Sequence, residues 1–92
     1  MEIILSKRFF KELRKCPANI QLQVKSVIEI AERADNIDAI PDIKKLAGFK
    51  DYYRIRLGGY RVGVKFESGQ MKILYILTIR SRGDVYKSFP PK

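Results

Sequence analysis

Residues 52–66 read YYRIRLGGYRVGVKF, and this stretch decides the fold. Two runs alternating with period two flank Gly58-Gly59, a pair suited to a two-residue hairpin loop because glycine accepts positive φ without steric cost. With that loop, Leu57 stands opposite Tyr60, Ile55 opposite Val62 and Tyr53 opposite Val64, which makes one apolar face. The other face collects Arg54, Arg56, Arg61 and Lys65, with Gly63 as the position lacking a side chain. Arg56 then lies directly across from Arg61, and like charges at opposed strand positions destabilise a sheet. A basic surface that only keeps a small protein soluble has no need of two opposed arginines. A face that receives one anion, phosphate foremost, does.

Working outward, Met71 to Ile79 is an almost unbroken apolar run, as expected of a central strand covered on both sides. Glu67-Ser68-Gly69-Gln70 reads as the turn before it. With Ser68-Gly69 at the tip, Arg61 faces Ile76, the even-numbered residues of the last strand share its face, and Arg80 joins the arginines. Upstream, Glu2 to Leu5 reads as a strand, and Ser6 as the N-cap of a helix from about Lys7 to Lys15. Phe9, Phe10 and Leu13 give this helix a buried side. Pro17 opens a second helix that runs to about Ala34, with Ile20, Val24, Val27, Ile28 and Ala31 on one face. Asp35 to Asp42 is a loop, because Pro41 disfavours helix at Ile40.

The expected fold is α+β. A twisted antiparallel β-sheet carries an N-terminal two-helix hairpin on one face, in the order β-α-α-β-β-β, within a single domain spanning residues 1–92. A hydrophobic fraction of 46% and a charged fraction of 32% suit such a globular chain rather than a disordered one. No apolar run approaches the roughly 20 residues of a membrane span, and no signal peptide is visible. The lone Cys16 cannot form an internal disulfide, which fits a reducing cytoplasm, and reads as a packing residue at a helix end. With one cysteine and no histidine, no zinc site can be built, and no metal or other cofactor is expected.

Charge divides the chain. From Met1 to Ile43 seven Lys/Arg balance seven Asp/Glu, whereas from Lys44 to Lys87 eleven basic residues stand against three acidic ones, a net +8. A neutral half joined to a basic half points to an anionic partner, RNA or an acidic protein. Lys44, Lys45 and Lys50 either border the basic face or are plain loop lysines. Lys65, Arg82 and Lys87 complete the candidate RNA-binding set.

The run KKLAGFKDYYRIRLGGYRVGVKF, followed by an apolar strand and IRSRGDVY, resembles the RelE/ParE superfamily of bacterial toxin–antitoxin pairs. The likeness covers the whole chain in element order and is strongest from Lys44 to Tyr86. It implies the toxin of a type II pair, with a cognate antitoxin as partner in a hetero-oligomer. RelE-like members cut messenger RNA on the ribosome, whereas ParE-like members act on DNA gyrase. In the RelE-like branch basic strand residues and a tyrosine near the C-terminus surround the scissile phosphate. By position these are Arg54 and Arg56 on the first hairpin strand, Arg61 in GYR, Arg80 at the end of the last strand, and Tyr86 in the final VY. Some relatives have lysines at Arg54 and Arg56, and many have a histidine near Ser81. Some carry a C-terminal helix where this chain has Pro90-Pro91, so the basic face is expected to stay open here.

RNA can be cut by its own 2′-hydroxyl, so the resemblance implies a metal-independent endoribonuclease. The four arginines suit charge stabilisation, since guanidinium binds phosphate through two donors. They cannot serve as bases, because arginine stays protonated. Tyr86 remains to carry a proton, to stack on a base, or simply to pack on the sheet edge. Asp84 could be a base, but beside Arg82 it reads as a surface ion-pair member. A gyrase-directed toxin without nuclease activity stays open. A passive RNA-binding module also does, although Tyr53 and Tyr60 fall on the apolar face instead of offering exposed stacking platforms.

Overall fold

The hairpin forms in the expected register. In the computed structural model, which describes residues 1–91, Tyr53 pairs with Val64, Ile55 with Val62, Arg56 with Arg61 and Leu57 with Tyr60. Of the two turn glycines, only Gly58 takes a positive φ, 56°, which is the demand of a II′-type loop on its first position.

The chain runs β1 (Glu2–Leu5), α1 (Lys7–Arg14), α2 (Ala18–Arg33), β2 (Ile43–Lys45), β3 (Tyr52–Leu57), β4 (Tyr60–Ser68) and β5 (Lys72–Ser81). The strands form one sheet in the order β1-β5-β4-β3-β2. Two features depart from the sequence reading. Ile43–Lys45 forms a short edge strand antiparallel to β3. The first strand pairs parallel to β5, so the sheet is mixed rather than wholly antiparallel. A three-residue strand carries too little pattern to be read, and parallel pairing of the two ends of the chain leaves no local trace.

Both helices cover the apolar face. Phe9, Ile20, Val24 and Ala31 share one core with Ile55, Leu57, Val62, Val64, Leu74, Ile76 and Ile79. Fully burying such a side chain is worth about 1.5–3 kcal/mol, so this layer fixes which face of the hairpin looks away from the helices. Ser6 joins the layers. Its hydroxyl accepts from Phe9 N at 3.0 Å, capping α1, and donates to Leu77 O at 2.8 Å.

Leu77 marks the second correction. Ser68 pairs with Lys72, so the β4–β5 loop has three residues, and the ladder shifts by one more between Gly63 and Val64. Val64 faces Ile76, but Gly63 faces Thr78 and Arg61 faces Arg80, not Ile76. Leu74 and Ile76 therefore pack on the helix side, and only past the bulge do even-numbered residues reach the arginine face. A bulge adds one residue and inverts the phase of the strand beyond it. Arg80 reaches the expected side by that route.

Candidate functional site

The face turned away from the helices carries a row of three arginines in one register. Arg56 on β3, Arg61 on β4 and Arg80 on β5 are successive cross-strand partners. At the usual strand spacing the row spans roughly 10 Å. Beside it runs a second row, Lys44, Arg54, Gly63 and Thr78, and beyond that Tyr52, Lys65 and Tyr75.

Each arginine is balanced differently. Arg61 is buried, and its Nη1 donates to Gly58 O at 2.8 Å and Tyr60 O at 2.9 Å, so the hairpin turn itself orients the guanidinium. Arg56 is exposed and stands 4.0 Å from Asp42 Oδ1. Arg54 Nη1 donates to the carbonyl of the same Asp42 at 3.1 Å. Arg80 Nε lies 3.1 Å from Glu12 Oε2. Two carboxylates flank the row at its ends, while the central Arg61 meets only neutral carbonyls. Of the three, Arg61 alone has no carboxylate partner among the described residues.

The remaining candidates spread around this centre. Lys44 shares the open face through its pairing with Arg54. Lys45 pairs with Tyr53 and so falls on the helix side, at the sheet margin. Lys50 sits in the loop before β3, and Arg82 N donates to Gly59 O beside the hairpin turn. Lys87 Nζ lies 3.0 Å from Asp84, which also accepts from Ser81 Oγ. The Lys87 and Ser81 contacts hold the Asp84 carboxyl below its ordinary pKa. Its partner is thus Lys87, not Arg82.

The C-terminal segment overturns the expectation of an open face. After a short 3₁₀ turn, Val85–Lys87, the chain crosses the sheet and buries Val85 and Phe89. Phe89 packs on Gly63 and edge-on to Tyr52, with ring centroids 5.7 Å apart. Tyr86 is left 48% exposed, in a cleft of about 470 Å³ that it shares with Phe49, Lys87 and Phe89. Sequence reasoning missed Glu12, Asp42 and Phe49. The two acids lie far from the arginines in the chain, and Phe49 sits in an irregular loop where no period operates.

Residues 3–86 match the family described as ParE toxin of type II toxin-antitoxin system, parDE. Toxin RelE3 of Methanocaldococcus jannaschii is 32% identical over 91 residues, covering 98% of this chain and 100% of that protein. The chain belongs to the RelE/ParE family of type II toxins. The fold of this toxin is shared with the crystal structure of the RelB-RelE antitoxin-toxin complex from Methanococcus jannaschii. That match has a TM-score of 0.75 and 32% identity and covers 95% of this chain and 99% of the other. The archaeal RelE-RelB complex from Pyrococcus horikoshii matches with a TM-score of 0.73 and 28% identity, over 90% and 96% of the two chains. No helix among the toxin's described residues is long and apolar enough to cross a membrane.

Proposed function

We propose that this toxin is a ribosome-dependent endoribonuclease that cuts messenger RNA in the cytoplasm and is restrained by a cognate antitoxin. The observation that carries the reading is the Arg56–Arg61–Arg80 row, three cations in one register with a carboxylate beside each end and none at Arg61. In the reaction the 2′-oxygen bonds to phosphorus and the bond from phosphorus to the 5′-oxygen breaks. The proton lost by the 2′-hydroxyl is balanced by one gained at the leaving oxygen. No external nucleophile or metal is required, and the products carry a 2′,3′-cyclic phosphate and a 5′-hydroxyl. Arg61 and Arg80 supply donors to the charge that grows on the phosphate. Arg54, Arg56, Lys44 and Lys65 hold the flanking backbone, and Tyr86 with Phe49 holds an unpaired base.

The antitoxin partner is inferred from relatives crystallised as RelB–RelE complexes and from the basic half of the chain. An acidic or amphipathic segment laid over this face would bind less tightly as salt rises.

The test is cleavage of ribosome-bound messenger RNA in the presence of a chelator, with end-group analysis of the products. Arg61→Ala and Arg80→Ala should each lose about 10²–10³ in rate, the usual worth of a preorganised donor. The family match, described by ParE, favours one competing reading, a gyrase-directed toxin. Intact messenger RNA together with lost gyrase activity would establish that reading instead.

A further inference from the structure

Glu12 is the most densely bonded acid beside the arginine row. It projects from α1, 16% exposed, to the edge of β5 just past the point where β1 ends. Its Oε1 accepts from the hydroxyl of Thr78, itself buried, and from Ile79 N at 3.3 Å. Its Oε2 lies 3.1 Å from Arg80 Nε and 3.4 Å from Arg8 Nε. Arg8 in turn donates from Nη2 to Ser88 Oγ at 2.6 Å. One carboxylate thus ties together α1, the open edge of β5, Arg80 and, through Arg8, the C-terminal segment.

We propose that Glu12 is a positioning residue that sets the guanidinium of Arg80 for the scissile phosphate; its effect on rate rests on the nuclease reading. Arg80 needs such a tether. Its side chain is 39% exposed and lies directly opposite Arg61, whose like charge pushes it out of the row. Glu12 pairs with it at Nε, and the terminal nitrogens, which make no hydrogen bond to the described residues, stay available to an anion on the face that Arg61 shares. The tether is rigid because the second carboxylate oxygen is fixed by Thr78 and Ile79. It is placed before substrate arrives, which is the condition under which a donor acts without reorganisation. A bare carboxylate beside a phosphate site would repel substrate; here its charge is spent on Arg80 and Arg8.

Glu12→Gln tests this with little change of shape. The amide oxygen can still accept from Thr78 and Ile79, while the amide nitrogen faces Arg80 as donor against donor. Three measurements are made: kcat and Kd on ribosome-bound messenger RNA, the same constants with Glu12→Gln placed in the Arg80→Ala background, and the Arg80 Nε–H resonance by NMR. The expected result is a kcat lower by on the order of 10²-fold, the cost of a misplacement near 1 Å. Kd should be unchanged or tighter, no further loss of kcat should appear in the Arg80→Ala background, and the Nε–H signal should shift as the neighbouring carboxylate charge is removed. Thr78→Val, which removes one of the two donors to Oε1 and leaves Ile79 N, should give the same pattern in weaker form. An equal loss of kcat in both backgrounds overturns the proposal, since a purely structural Glu12 would act without Arg80. An unchanged Nε–H signal in Glu12→Gln overturns it as well. That signal reports the tether even if the wild type cuts no RNA, an outcome that sinks the nuclease reading alone.

Discussion

The ring of Phe89 lies 2.8 Å from the point where a Cβ on Gly63 would stand. Side chains do not approach that closely, so the missing side chain at Gly63 is the slot that seats the C-terminal segment against the sheet. The segment carries Phe89 onto the face that holds Arg54 and Lys65, and in doing so it covers the middle of the second basic row.

Gly63→Ala should therefore unseat the segment. Overpacking of a fitted site costs about 1–3 kcal/mol, and the ring of Phe89, buried with Val85, has no flexible end to yield. A lower denaturation midpoint is expected, with faster proteolysis beyond Ser81 and undisturbed helix signals. A variant that melts and resists protease like the wild type would show that Phe89 does not hold this position in solution.

The opposed arginines make a second prediction. Since the row is destabilised by its own repulsion, any multivalent anion that enters it should stabilise the fold. A ligand bound only by the native state adds about 1.4 kcal/mol for each tenfold excess over its Kd. Sulfate or phosphate should raise the melting temperature above that in chloride at matched ionic strength, and Arg56→Gln should reduce the difference. Equal melting in both salts would argue that Arg61 and Arg80 are fully satisfied within the chain.

The β3–β4 hairpin was legible because everything that sets it is local. Alternation assigns the faces, and two glycines fix the register. The next pairing was not legible, because β5 is apolar on both sides and carries no alternation to count. A three-residue loop and the bulge at Leu77 each move the register by a step that composition does not record. The arginines were visible as a cluster, but their balance was not. Glu12 and Asp42 reach Arg80 and Arg56 only through tertiary contacts, and a tail carrying Phe89-Pro90-Pro91 gives no sign that its aromatic ring fills a space at Gly63.

Tyr86 and Phe49 are large aromatics left exposed at one cleft in the basic half of the chain. Rings so placed serve as stacking platforms, each worth about 1–3 kcal/mol per base. Tyr86→Phe keeps the ring and should stay within a few-fold of wild-type cleavage, whereas Tyr86→Ala and Phe49→Ala should each weaken RNA binding by about tenfold or more. Should Tyr86→Phe be as poor as Tyr86→Ala, the hydroxyl carries a proton and the ring is secondary.

Cys16 supplies a prediction about pH. The thiol is buried at the end of α1, and its Sγ donates to Glu12 O at 3.4 Å. Burial, and then the nearby Glu12 carboxylate, raise its pKa above the ordinary thiol value. The folded state thus holds this proton to higher pH than the unfolded chain does. The stabilisation is complete below the unfolded pKa, about 8.5, and fades as pH rises through the folded value. Comparison with Cys16→Ala isolates this contribution from the titrating lysines and tyrosines. The melting-temperature difference between the two proteins should be constant near neutral pH and shift against the wild type above about pH 9. Alkylation of native Cys16 at neutral pH should be slow, because the thiolate is the reactive form. Rapid labelling of the folded protein, or a difference that stays flat to about pH 10, would place this thiol in solvent and refute its burial.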